Sequence, residues 1–186
     1  MRIIARLDVK GPNLIKSINL EGLRVMGNPN DFAKKYYKEG ADELIFMDLV
    51  ASLYNRNSLH SIIKLACEDI FIPFTVGGGI RSLDDALKIF DSGADKISLN
   101  TNAVQNPNIL SILSKRFGSQ AIVLSVEAKK RQEEKWDVYV ESGREKTGLD
   151  VVTWVKKAQD LGIGEILLTS VDKEGTTEGF DVDLIK

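Results

Sequence analysis

Cysteine, histidine and long apolar runs are almost absent from this sequence. It has one cysteine, Cys67, and one histidine, His60, in 186 residues. A lone cysteine cannot form an internal disulfide, and no cluster has the spacing of metal ligands, so neither a disulfide framework nor a metal site is expected. No apolar run approaches the roughly 20 residues that cross a bilayer. We therefore expect a cytoplasmic protein with no membrane segment, no metal and no other cofactor.

Charge of one sign is not concentrated anywhere along the chain. Lys and Arg number 25 and Asp and Glu 27, which gives a net charge of −2. Basic residues are interspersed with acidic ones instead of forming a block, so a nucleic-acid surface is not expected. A hydrophobic content of 43% is typical of a globular chain with a substantial core.

Short apolar runs alternate with helical patterns. Strands are predicted near residues 2–8, 43–48, 72–76, 95–99, 121–126 and 165–169. Helices are predicted near 30–39, 58–68, 82–92, 106–117 and 148–161, with Asn30, Ser58, Ser82 and Asn106 as N-caps, Pro107 at a first helical position, and Gly40, Gly93 and Gly162 at C-termini. This order predicts parallel strands with right-handed crossovers, in a doubly wound sheet or a barrel.

Two segments resemble each other, and each brings a carboxylate to the end of a strand. They are Ile3–Lys10, with Asp8, and Ile122–Lys129, with Glu127. A second match, Ala41–Ile45 with Ile163–Leu167, has a similar offset. The duplication favours a (βα)8 barrel of one domain with half-barrel repeats, 1–120 and 121–186. Paired acids at equivalent positions indicate acid/base chemistry, with Asp8 and Glu127 as catalytic residues.

Such a barrel usually needs about 200 residues or more. Only six strands are predicted here, and Asp181–Lys186 is expected to begin a sixth helix. We therefore expect the sequence to be the N-terminal part of a longer barrel, truncated to about six strands and with an incomplete second half. The segment 129–146, which contains Trp136 and Tyr139, is expected to be a hairpin over the active-site face or a solvated excursion.

The segments after the strands contain candidate phosphate ligands. Val76–Ser82 contains three consecutive glycines before a helix, where backbone N–H groups can approach an anion. Asn100 and Thr101 are expected to end the next strand and to add side-chain donors to the same anion. Thr169–Thr176 offers hydroxyls and glycine again. Tight or polar turns remain the alternative interpretation of these segments.

A second set of charges precedes the strands. Arg2, Glu43, Lys96 and Glu165 each come directly before an apolar run. Charges at matching depth are typical of a salt-bridged plug at the amino-terminal end of a barrel.

Together these motifs resemble the cyclase subunit of imidazole glycerol phosphate synthase across essentially the whole chain. The matching segments are Leu7–Lys10, Gly40–Leu44, Thr75–Ser82 (TVGGGIRS), Gly93–Lys96, Arg116–Gln120 (RFGSQ) and Gly164–Ser170 (GEILLTS). The resemblance implies a (βα)8 barrel of the histidine-biosynthesis type, which takes ammonia from a separate glutaminase subunit at the amino-terminal ends of the strands. It also implies a phosphorylated small-molecule substrate.

The resemblance assigns roles to individual residues. Asp8 and Glu127 are the acid/base pair. Gly79, Asn100 and Thr101 match one phosphate site and Gly175 part of another, while Lys16, in the long loop after the first strand, matches a mobile substrate-contacting lysine. Thr169 and Glu174 are further candidates for substrate binding. The set Arg2, Glu43, Lys96 and Glu165 matches a charged gate for ammonia. The resemblance therefore favours a gate that faces the glutaminase over a salt-bridged plug.

Two residues depart from the family pattern. Glu127 stands where the family has Asp, and Arg6 where it has a small cysteine; Arg6 should point inward with Asp8 and needs a counter-charge or an anionic ligand. Ala5–Lys16 and Ser52–Leu59 resemble a branch that makes acetamidino sugars for surface polysaccharide from channelled ammonia. That branch, a catalytically silent binding partner and the related phosphoribosyl isomerase remain alternatives.

Overall fold

The computed structural model describes residues 1–51 and 59–186. Ten strands, β1 to β10, span Ile4–Lys10, Asn13–Ile18, Glu21–Gly27, Glu43–Asp48, Phe74–Gly77, Lys96–Leu99, Ile122–Gln132, Lys135–Val140, Glu145–Asp150 and Glu165–Ser170. Seven helices in these residues, α1 to α7, span Pro29–Lys38, His60–Asp69, Leu83–Asp91, Thr101–Gln105, Asn108–Phe117, Val151–Asp160 and Val182–Ile185. Two compact units divide the chain: Met1–Ile15 with Arg24–Ser98, and Lys16–Leu23 with Leu99–Lys186.

Four parallel strands form the centre of the first unit, in the order β1-β4-β5-β6. All six residues of β4 are buried, as expected for a parallel strand covered on both faces. The rings of Phe46 and Phe74 lie 5.8 Å apart and fix the contact between β4 and β5. Strand β2 then pairs antiparallel with the end of β1, where Val9 lies opposite Leu14.

The second unit is built on β7. Strand β10 pairs with it in parallel, with Thr169 beside Glu127. The carboxyl half of β7 continues into an antiparallel meander with β8 and β9. Helix α6 packs on this sheet through Trp154, which is 2% exposed. The carboxylate-bearing strands β1 and β7 therefore both run on into an antiparallel hairpin, a second likeness between the duplicated segments.

The helix ends agree in part with the sequence. The Ser82 side chain accepts from Asp85 N–H and the Asp85 side chain from Ser82 N–H, so α3 begins with the predicted N-cap and a capping box. Gly40, Gly93 and Gly162 follow the last helical turns with φ of +92°, +109° and +95°, which glycine adopts without strain.

Two predicted helix starts are wrong. Asn28, not Asn30, caps α1, because Pro29 takes the first helical position. The predicted helix 106–117 is two helices, α4 and α5. Pro107 is the N-cap of the second rather than its first residue, and Asn106 is the C-cap of the first. Ser58 lies outside the described residues, and α2 begins at His60 with Leu59 as its N-cap.

All six predicted strands are present, and the expected α/β class with parallel strands is confirmed. The six predicted strands are β1, β4, β5, β6, β7 and β10, and four further strands, β2, β3, β8 and β9, form the hairpins. The hairpin expected at 129–146 is therefore present. The short helix α7 begins where the sixth helix was expected, with the Asp181 side chain accepting from Leu184 N–H. No helix among the described residues is long and apolar enough to cross a membrane.

Candidate active site

Asp8 lies near the carboxyl end of β1 in the first unit and is 6% exposed. Arg6, two residues earlier on the same face of the strand, donates from Nε to Asp8 Oδ1 at 2.7 Å. The expectation that Arg6 points to the same side as Asp8 and finds a counter-charge there is confirmed. A charged donor at this distance stabilises the carboxylate in the interior.

Glu127 lies on β7 in the second unit and is 7% exposed. Gly143 N–H donates to its Oε2 at 2.7 Å. The donor belongs to the turn between β8 and β9, where Glu141, Ser142 and Gly143 all have left-handed backbone, with φ of +54°, +58° and +77°. Consecutive residues of this kind are uncommon outside glycine, so the turn is built to direct an N–H group at the carboxylate.

The glycine-rich turn follows β5 in the first unit. A side chain at Gly77 would come within 2.5 Å of Met47 Sδ, and one at Gly78 would overlap the Asp48 carbonyl. Gly78 is therefore required by the close approach of the Asp48 backbone, whereas at Gly77 the flexible end of Met47 would have to move. Gly79, with φ of +72°, has left-handed backbone, which glycine adopts without strain.

A carboxylate in the first turn of helix α3 accepts hydrogen bonds from two backbone N–H groups near this turn. Asp85 Oδ2 accepts from Arg81 N–H at 3.0 Å and Ser82 N–H at 3.1 Å. The N–H groups of Gly79 and Ile80 have no acceptor among the residues that the structure describes. They are the backbone donors that an anion at this turn would meet.

Asn100 and Thr101 begin α4 in the second unit rather than ending a strand. Asn100 Nδ2 donates to the Tyr139 carbonyl at 3.3 Å, and Thr101 Oγ1 accepts from Glu141 N–H at 3.2 Å. Both side chains thus hold the β8–β9 hairpin. Asn100 Oδ1 is buried and has no hydrogen-bond partner within the described part of the chain.

Lys16 is on strand β2, so its predicted place in a long loop is wrong. Its Nζ lies 3.0 Å from Glu174 Oε1, and Glu174 Oε2 accepts from Leu20 N–H at 2.8 Å and Ser17 Oγ at 3.1 Å. Burial raises the pKa of the Glu174 carboxyl, but these donors together outweigh burial and hold the pKa below its ordinary value. A side chain at Gly175 would overlap the Ser17 carbonyl, so Gly175 is also needed for this contact.

Glu43 brings three of the four predicted gate residues together at the amino end of β4. It is 2% exposed. Lys96 Nζ lies 3.0 Å from Oε2 and 3.1 Å from Oε1, and Arg2 Nη1 lies 3.3 Å from Oε2. Glu165 begins β10 in the second unit and is half-buried. Thr169, on the same strand, is 8% exposed.

Comparison with known proteins identifies the family. The family model described as histidine biosynthesis protein matches residues 2–186. The imidazole glycerol phosphate synthase subunit HisF of Legionella pneumophila is 58% identical over 186 residues, covering 100% of this chain and 88% of that protein. The subunit HisF of Streptococcus mutans serotype c is 46% identical over 184 residues (99% and 73%), and that of Streptococcus sanguinis 45% over 185 residues (100% and 73%).

The chain belongs to the histidine biosynthesis protein family. The family fold is a (βα)8 barrel, in agreement with the alternating strands and helices predicted from the sequence. The resemblance to the cyclase subunit is confirmed, because all three relatives carry that subunit's name. The polysaccharide branch, the silent partner and the isomerase are not favoured by these matches. The segment Ser52–Leu59, cited for the first of them, lies almost wholly outside the described residues.

The structure reveals two further buried polar residues that the sequence alone did not single out. Thr75, the first residue of TVGGGIRS, donates from Oγ1 to Glu43 Oε1 at 2.8 Å. Asp48, at the end of β4, is 4% exposed and accepts from Val50 N–H at 3.0 Å. An acid that ends a buried strand was the signal used for Asp8, and it applies equally to Asp48.

Proposed function

We propose that this chain is the cyclase subunit of imidazole glycerol phosphate synthase and acts in histidine biosynthesis in the cytoplasm. Ammonia condenses with the ribulosyl carbonyl of a formimino aminoimidazole carboxamide ribonucleotide. Cleavage and cyclisation then give imidazole glycerol phosphate and aminoimidazole carboxamide ribonucleotide. The observation that carries the proposal is 58% identity to a HisF subunit over the whole chain.

Asp8 and Glu127 are the proposed acid/base pair. Each is buried, lies on a parallel strand and has an identified donor, from the Arg6 side chain and the Gly143 backbone respectively. The reaction moves protons at opposite sides of the substrate, so it needs two such groups. Glu127 is one methylene longer than the Asp of the family pattern, and the Gly143 N–H fixes where the longer side chain places its carboxylate.

Two phosphate subsites bind the substrate. One uses Gly79, Asn100 and Thr101, and the N–H groups of Gly79 and Ile80, which have no acceptor in residues 1–51 and 59–186, support it. The other includes Gly175. Lys16, Thr169 and Glu174 complete the substrate contacts; because Lys16 is paired with Glu174, binding a phosphate requires it to exchange one anion for another.

Arg2, Glu43, Lys96 and Glu165 form the proposed ammonia entrance, which faces a glutaminase partner at the amino-terminal ends of the strands. The support is the cluster around Glu43, where a buried carboxylate is shared by Lys96, Arg2 and Thr75. Either Lys96 or Arg2 can move away without leaving the Glu43 carboxylate unpaired, because the remaining donors still hydrogen-bond to it.

The test is turnover of the formimino ribonucleotide by the purified chain with an ammonium salt and no partner. Both products are followed by liquid chromatography and mass spectrometry, and Asp8→Asn serves as the control for contaminating enzyme. Turnover that disappears in Asp8→Asn supports the proposal. A folded wild-type protein that yields neither product, and that fails to rescue a histidine auxotroph lacking the cyclase, would overturn it.

A further inference from the structure

An arginine lies in strand β1 directly before the strand's buried residues, and its side chain is largely buried, which is unusual for a charged residue. The Arg6 and Asp8 side chains are 20% and 7% exposed, and Nε lies 2.7 Å from Oδ1. Residues two apart on a strand share a face. The guanidinium is therefore held against the carboxylate that the proposed reaction uses.

Stability does not account for this pair. Desolvating two charges costs about as much as their attraction returns, and an apolar pair of similar volume is often as stable or more so. Neither does solubility, since both side chains are largely buried. A short pair beside a reactive group is explained if it sets the position of that group.

The two oxygens of Asp8 have different surroundings. Oδ1 accepts from Arg6, whereas no residue in the described part of the chain is hydrogen-bonded to Oδ2. The planar guanidinium gives its Nε donor a fixed direction. Holding Oδ1 therefore fixes the plane of the carboxylate and the direction of Oδ2.

We propose that Arg6 is a positioning residue that acts through Asp8: its Nε holds Oδ1, and Oδ2 is thereby directed to exchange a proton with the substrate. The inference rests on the proposed cyclase function. It differs from the direct substrate binding predicted for Arg6 from the sequence, because a positioning residue changes kcat whereas a substrate ligand changes KM.

Arg6→Met removes the donor and keeps much of the volume. We expect kcat with ammonium salt to fall about 100-fold, the cost of a displacement of about 1 Å, and KM to stay within about threefold. Arg6→Lys keeps the charge without the planar donor and should recover part of kcat. Lys10→Met, an exposed residue of the same strand, is the matched control and should be unchanged. A raised KM at unchanged kcat would overturn the proposal.

Non-additivity provides a second test. If Arg6 acts only through Asp8, replacing Asp8 already removes the contribution of Arg6 to catalysis. Adding Arg6→Met to Asp8→Asn should then lower the residual rate by less than about twofold. A further loss close to that of Arg6→Met alone would assign Arg6 an independent role and would contradict the proposal. Circular dichroism of each variant separates these outcomes from misfolding.

The pair can also be observed without turnover. The Arg6 Hε resonance should be protected from solvent exchange in the wild-type protein and should lose that protection in Asp8→Ala. If the wild type lacks turnover but this protection is lost as expected, the proposed function fails while the pairing holds. If Asp8→Ala leaves the resonance unchanged, the positioning role fails whatever the substrate is.

Discussion

At the scale of single residues, the buried carboxylates differ in the donors that hold them. Asp8 has a guanidinium, Glu127 a backbone N–H, and Glu43 a lysine, an arginine and a threonine hydroxyl. An ion in the protein interior is tolerated only when it is paired and hydrogen-bonded. Each of these buried carboxylates therefore has at least one donor identified among the described residues.

Glu127→Gln separates the chemistry of this residue from its contact. The amide oxygen can still accept from Gly143 N–H, so the turn should keep its structure, but the side chain no longer exchanges a proton. We expect kcat to fall by about 10²- to 10⁴-fold with an unchanged circular dichroism spectrum. Glu145→Gln, exposed on β9, is the control. Turnover of Glu127→Gln within about threefold of wild type would remove Glu127 from the acid/base pair.

Lys96→Ala tests the ammonia entrance. With the glutaminase partner present, we expect glutamine-dependent turnover to fall about tenfold or more while ammonia-dependent turnover changes by less than about threefold. The reason is that Lys96 lies at the amino end of β6, away from the carboxyl ends where barrels carry out chemistry. Lys88→Ala, on α3, is the matched control. Equal losses of glutamine-dependent and ammonia-dependent turnover would refute the assignment of Lys96 to the ammonia entrance.

At the scale of elements, the hairpin of β2 and β3 is attached at its tip. Lys16, Ser17 and Leu20 donate to the Glu174 carboxylate, and Asn19 Nδ2 donates to the Val171 carbonyl at 2.7 Å. The pKa of Glu174 is lowered in the fold. The contact therefore contributes its full stability above the pKa of an unfolded Glu, about 4.3, and loses it as the pH falls through the lower folded value.

Hydrogen exchange measures this attachment. In Glu174→Gln the charge is lost, and we expect the Leu20 amide to exchange about tenfold faster at neutral pH, because hydrogen bonds to a charged acceptor are roughly twice as strong as neutral ones. Glu178→Gln is the control, since Glu178 is in the same loop but is 64% exposed and pairs with Lys173 instead of the hairpin. Unchanged exchange at Leu20 in Glu174→Gln would show that the carboxylate does not hold the hairpin.

The elements also show which parts of the fold a sequence reveals. The strand ELIFMD is recognisable because every residue of β4 is buried, and Ser82 because its capping box is local. Strands β3 and β9 are mostly exposed and lack the apolar alternation that marks a strand. They form because they extend a hairpin, so Lys16 on neighbouring β2 was assigned to a loop.

At the scale of the whole molecule, the sequence predicted the candidate residues that a local pattern marks. It did not predict those whose role depends on a contact with a residue distant in the sequence. Asp8 and Glu127 were recognised as strand-end acids. The donor to Glu127 was not, because Gly143 N–H is a backbone group and its direction depends on three left-handed residues. Thr75 was missed because a threonine in a strand has no signal of its own until Glu43 is placed next to it.

Net charge controls the colloidal behaviour of the chain. With a sequence pI of about 5.6, self-repulsion vanishes near that pH and association is then favoured. We expect the polyethylene glycol concentration that precipitates the protein at low salt to be lowest near pH 5.6 and to rise on both sides. A minimum displaced by more than about one pH unit would mean that many groups titrate away from their ordinary values.

During synthesis on the ribosome, the tip of the β2–β3 hairpin is made well before the carboxylate that it contacts. Lys16 and its partner Glu174 are 158 residues apart in the chain, and ribosomes add about 5–20 residues per second. The tip therefore emerges roughly 8–30 s before the carboxylate that anchors it exists. During that interval the Lys16 ammonium, the Ser17 hydroxyl and the Leu20 N–H lack the carboxylate that accepts from them in the folded protein.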